Sequence, residues 1–185
     1  NLFFQRAQTI LIVELGFPFQ CGKKVGTVFA KYISEMKIKQ KKGRSSNMKK
    51  ILIATHGTFA SGAESTVKFL MGDVGNITCI NAYVDQDENL AETLEQYFAR
   101  VQSEDQVIVL TDIKGGSVNQ KIVPYAVREN VFLIAGFNLP LLVALAIAPQ
   151  GITREDVRQY IEDSKKQMEL VELEADDSLD EDFFA

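Results

Sequence analysis

The feature that most constrains this chain is an alternation that begins at residue 48 and runs on for more than a hundred residues. Short apolar runs take turns with longer stretches of helical spacing. KILIAT (50–55), NITCINAYV (76–84), QVIVLT (106–111) and VFLIAGF (131–137) are short, apolar and bounded by polar or glycine residues, as buried strands are. Between them, 61–71 reads as a helix with Val67 and Leu70 facing inward. Asn89 caps a second helix, in which Leu90, Leu94, Tyr97, Phe98 and Val101 share a face. A helical stretch to about Arg128 is disturbed at Pro124, 139–148 is an apolar helix, and Thr153 caps a last helix over 154–167. Strand alternating with helix, with strands apolar on both sides, predicts an α/β fold. We expect an open, doubly wound sheet of four parallel strands in the order 2-1-3-4, with helices on both faces.

Residues 1–47 lack that regularity and end in a basic, polar run. Met48 followed by two lysines and a strand reads as a natural start, so 1–47 is expected to be an extension. Residues 48–173 form the expected domain, with 169–173 (ELVEL) as a further strand, and 174–185 form an acidic tail expected to be disordered. The charge is divided along the chain. Residues 1–50 hold eleven Lys/Arg and two Glu, about +9; of the 20 Lys/Arg and 25 Asp/Glu in total, the remainder give about −14. An acidic body argues against nucleic acid as a partner. No apolar run approaches the roughly 20 residues of a membrane span, so no direct membrane insertion is expected. Cys21 and Cys79 are far apart, and there is one histidine, so neither a metal site nor a disulfide is expected and the cytoplasm is the expected compartment.

In open α/β sheets ligands bind beyond the carboxyl ends of the strands, where the strand order reverses. For the order 2-1-3-4 that point lies between strands one and three. Strand one ends in Thr55-His56-Gly57, and strand three in Thr111-Asp112 followed by Gly115-Gly116-Ser117. The topology therefore brings His56 and Asp112 together. A histidine that accepts a phosphoryl group needs one bare ring nitrogen and an acceptor holding the other. Asp112 suits that role, with the Ser117 hydroxyl nearby. Backbone N–H groups of Gly57, Thr58, Phe59 and Ala60, and of Gly115, Gly116 and Ser117, are candidate phosphate donors.

With THG, TDIKGGS and LIAGFNLPLL in this order and spacing, the chain resembles the IIA component of the mannose-type (mannose/fructose/sorbose) family of the bacterial phosphoenolpyruvate:sugar phosphotransferase system. The likeness spans 48–173. It implies a homodimer that exchanges a C-terminal strand. It also implies a cytoplasmic phosphocarrier that takes phosphate from the carrier HPr on His56 and passes it to a IIB component, with Asp112 orienting the ring, Ser117 in the pocket and no cofactor. Val118 stands where the family often has proline, Asn119 comes one position early, and Lys114 replaces an aromatic or apolar residue. Two rivals share the fold: a phosphohistidine domain serving dihydroxyacetone phosphorylation, and a regulatory module whose histidine is incidental. A histidine phosphatase would need an Arg-His-Gly motif and a second histidine. Neither G-x-S-x-G nor a P-loop occurs.

Overall fold

A computed structural model describes residues 48–84 and 89–171. In chain order the elements are β1 (Lys49–His56), α1 (Phe59–Met71), β2 (Ile77–Ala82), α2 (Leu90–Ala99), β3 (Gln106–Thr111), α3 (Ser117–Ile122), a 3₁₀ turn (Val123–Val127), β4 (Val131–Ala135), α4 (Leu139–Ile147) and α5 (Arg154–Lys165). The four strands form one parallel sheet in the order β2-β1-β3-β4. The expected fold class and strand order are those observed.

Because both faces are covered, β1 and β3 are buried at nearly every position rather than at alternate ones, and their central residues form continuous apolar runs. Alternation then sorts their side chains between two cores. Ile51, Ile53, Ile108, Leu110 and Ile134 pack beneath α1, α4 and α5 with Val67, Leu142 and Leu145. Leu52, Ala54, Val107 and Val109 pack on the other face with Leu90, Leu94 and Phe98 of α2 and Val118 and Ile122 of α3.

The helix ends follow local chemistry. The Asn89 side chain accepts from Ala91 N–H at 3.1 Å, and Asn138 accepts from Leu141 N–H at 3.0 Å. Thr153 and Asp156 form a reciprocal capping box at the start of α5. At the far end of α4, the buried ammonium of Lys49 donates to the carbonyls of Leu145 (2.7 Å), Ala146 (3.3 Å) and Ala148. Burial lowers its pKa to about 8, while the helix's carboxyl-end dipole favours the charge that remains at neutral pH.

Some boundaries differ from expectation. The first helix begins at Phe59 rather than Ser61, β2 ends at Ala82, and β4 ends at Ala135. The disturbance at Pro124 tightens the chain into the 3₁₀ turn after α3. No strand is formed by residues 169–171, where Leu170 is 83% and Val171 77% exposed. The rest of the proposed fifth strand (172–173), the 1–47 extension and the 174–185 tail lie outside the described residues.

Candidate functional site

The site lies at the carboxyl ends of β1 and β3, the two strands that flank the reversal of strand order. His56 closes β1 opposite Ala82 of β2, and Asp112 follows β3 directly. Although 56 positions separate them, Asp112 Oδ2 lies 2.8 Å from His56 Nδ1 and accepts the backbone N–H of His56 at 2.9 Å. The second oxygen, Oδ1, accepts from Ile113 N–H at 2.9 Å. Burial pulls the Asp112 carboxyl upward, but the donors from His56 and Ile113 outweigh it, and its pKa lies below the ordinary value.

An ionised carboxylate can only accept, so Nδ1 carries a ring proton, and in the neutral ring Nε2 is the nitrogen that keeps its lone pair. That lone pair faces the Ser117 hydroxyl, with Oγ at 3.0 Å. The His56 side chain is 37% exposed and that of Asp112 14%, so the group that holds the ring is the more sheltered of the two and the ring itself meets solvent.

Each loop around the ring has a local reason for its shape. Gly57 turns the chain out of β1 at φ 57°, a conformation costly for other residues. A Cβ at Gly116 would sit 3.4 Å from His56 Cε1 and 3.3 Å from Ile113, so glycine permits the close approach of this loop to the ring. The backbone donors expected to meet a phosphate need amending. Gly57 N–H is spent on Ala82 O at 2.9 Å, and Ala60 N–H on Thr55 Oγ1 at 2.8 Å. Gly115 N–H is spent on Asn119 Oδ1 at 3.0 Å, and Gly116 N–H on Ile113 O at 3.1 Å. The turns that present the site use these groups to close themselves. Thr58 and Phe59 stand at the first turn of α1, where helix geometry leaves N–H groups without an intrahelical acceptor.

Three supporting residues escaped the reading of the sequence. Asn81 accepts from Ser61 N–H at 3.1 Å and donates to Ser61 Oγ at 3.0 Å, tying the end of β2 to the start of α1. Asn119, noted there only for its shifted position, donates to Thr111 Oγ1 at 3.0 Å while accepting from Gly115. Tyr83 lies beside the histidine, with ring centroids 5.6 Å apart. The spacing of Asn119 four residues after Gly115 was a visible hint of a loop clasp; Asn81 and Tyr83 depend on strand register and left no such hint.

The family described as the fructose IIA component of the phosphotransferase system matches residues 50–180. The chain belongs to this family. Its members are sugar phosphotransferase system components, so a sugar phosphocarrier role in general follows from membership. The chain is similar to a candidate phosphoenolpyruvate-dependent sugar phosphotransferase system permease from Klebsiella pneumoniae, at 29% identity and TM-score 0.64, over 70% of this chain and 96% of that one. The IIA protein associated with the fucose utilization operon of Streptococcus pneumoniae is 28% identical at TM-score 0.56, over 68% of this chain and 95% of that one. The mannose/sorbose-specific IIA subunit from Enterococcus faecalis shares the fold at TM-score 0.62 and 16% identity, over 69% of this chain and 98% of that one. No curated protein matches. Among the described residues of this IIA-family chain, no helix is long and apolar enough to cross a membrane.

Proposed function

We propose that the chain is a cytoplasmic phosphocarrier in which His56 Nε2 accepts a phosphoryl group from phospho-HPr and passes it to a IIB component during sugar uptake. The observation that carries this reading is the paired restraint on the ring: Asp112 holds Nδ1 at 2.8 Å, and Nε2 faces the exterior beside Ser117. In each transfer the Nε2 lone pair forms the new N–P bond as the bond to the donor's nitrogen breaks, and the donor nitrogen keeps the electron pair. No electron leaves or enters the system. The reverse displacement delivers the group onward.

The chemistry asks the chain chiefly for positioning and charge stabilisation. Ser117 Oγ–H, which donates to Nε2 in the resting site, turns to a phosphoryl oxygen once Nε2 is occupied. The N–H groups of Thr58 and Phe59, at the start of the thirteen-residue helix α1, supply further donors and the positive end of its dipole. Gly116 contributes by leaving room beside the ring, and Gly115 by turning the loop at φ 73°, rather than by donating. The same reading takes the working unit as a homodimer.

Incubation with enzyme I, HPr and phosphoenolpyruvate should place an acid-labile phosphoryl group on His56, and His56→Ala should abolish it. No adduct in the presence of carriers active on another acceptor would refute the phosphocarrier reading. Labelling that persists in His56→Ala would refute the choice of residue.

A further inference from the structure

Tyr83 stands in a conformation that its side chain makes costly. At φ 65° it is the one non-glycine residue with positive φ among the described residues. A bulky residue in the left-handed region is an outlier that persists only when its surroundings hold it there. The holding contacts lie at the site. The preceding residue, Ala82, pairs with His56 across the sheet, and its carbonyl accepts Gly57 N–H at 2.9 Å. The backbone turn that follows brings the Tyr83 ring beside the imidazole, with centroids 5.6 Å apart and planes inclined by 34°. Tyr83 nevertheless remains 51% exposed, so packing into the core does not explain why the strain is kept.

We propose that Tyr83 is a positioning residue whose aromatic ring stabilises the phosphorylated form of His56 over the resting form. This rests on the phosphocarrier reading above. The form of the imidazole that can accept a phosphoryl group is the neutral ring, with its proton on Nδ1 and its lone pair on Nε2. When Nε2 takes the phosphoryl group and Nδ1–H stays on Asp112, the imidazole ring carries a formal positive charge. An aromatic ring within about 6 Å attracts a cation far more than a neutral ring, so the contact strengthens on phosphorylation. Asp112 balances the charge from one edge and Tyr83 from beside it.

The test uses the full chain with Tyr83→Phe, Tyr83→Leu and Tyr83→Gly, labelled by enzyme I, HPr and phosphoenolpyruvate and then freed of its partners. The lifetime of the isolated phosphohistidine is the decisive readout, since a residue serving only to dock partners would not change it. Tyr83→Leu and Tyr83→Gly should shorten that lifetime about three- to tenfold, and Tyr83→Phe should restore it. Tyr83→Gly, which relieves the backbone, should melt no lower than the natural chain while losing the lifetime. Lifetimes unchanged in the Leu and Gly variants would overturn the inference, as would a Phe variant as impaired as Leu. If the natural chain itself fails to label, the phosphocarrier reading falls as well; insensitivity to Tyr83 in a chain that labels sinks this inference alone.

Discussion

One oxygen of Asp112 holds both the backbone and the ring of His56, at 2.9 and 2.8 Å, so the carboxylate fixes where the histidine sits and which nitrogen is bare. Asp112→Asn keeps the shape but not the charge, and an amide presents a donor to one of the groups that must be accepted. Phosphoryl transfer through His56 should fall by about tenfold to a hundredfold, on the order of losing one well-aimed electrostatic partner, while the far-ultraviolet circular dichroism stays unchanged. Rapid-quench transfer from phospho-HPr measures it, and an undiminished rate would remove Asp112 from the mechanism. The same residue predicts an acid response. Its folded pKa is lowered, so its contribution to stability is complete above the ordinary carboxyl value of about 3.9 and disappears as pH falls through the lower folded value. Urea midpoints between pH 5 and pH 2.5 should therefore decline less steeply in Asp112→Asn than in the natural chain. His56, Asp112 and Ser117 were legible as candidates because each ends a strand, directly follows one or begins a helix at the switch point, a matter of sequence order. Tyr83 was not legible, because its importance lies in a φ angle and a ring contact that no residue pattern announces.

At the scale of elements, the alternation of apolar runs and helical spacing located every strand and most helices, since burial on both faces writes a continuous apolar signature. What it misjudged were the junctions. Helix α1 starts two residues early because Ala60 N–H finds Thr55 Oγ1 at 2.8 Å, a bond from helix back to strand that propensity cannot foresee. The β3–α3 junction is likewise clasped by a side chain, with Asn119 joining Gly115 N–H to Thr111 Oγ1 at 3.0 Å each. Asn119 is buried, and Asn119→Ala takes away the acceptor of Gly115 N–H and the donor to the buried Thr111 Oγ1, which keeps only its 3.4 Å bond to Ile134 O. The expected cost is about 1–3 kcal/mol. The clasp also sets the loop that carries Gly116 and Ser117 to the imidazole, so transfer should slow beyond what the unfolded fraction explains. Denaturant titration paired with phosphorylation at a temperature where the variant is fully folded separates the two effects. A variant destabilised but equally fast would make Asn119 a structural clasp alone.

For the whole molecule, the order β2-β1-β3-β4 puts β1 in the interior of the sheet and delivers its final residue to the reversal point, which is why a single histidine can be both firmly held and open to a partner. The order also leaves β2 and β4 as edges. Past α5, Met168, Leu170 and Val171 are 74%, 83% and 77% exposed, three large apolar side chains that the described residues leave uncovered. Met168 and Leu170 alternate with Glu169 in a way that suits an edge strand, yet the sequence alone could not say whose edge, because strand exchange leaves no mark on the composition of one chain. In the homodimer proposed here the strand expected at 169–173 would pair with the partner subunit. A chain ending at Gln167 should then dissociate at least tenfold more readily by sedimentation equilibrium. Its His56 should still be phosphorylated, because Asp112 and Ser117 come from the same subunit. A truncated chain that dimerises as tightly as the full one would rule out exchange through this segment. One that stays folded but no longer labels would mean that the site draws on the partner subunit, contrary to the geometry of a histidine restrained wholly by its own chain.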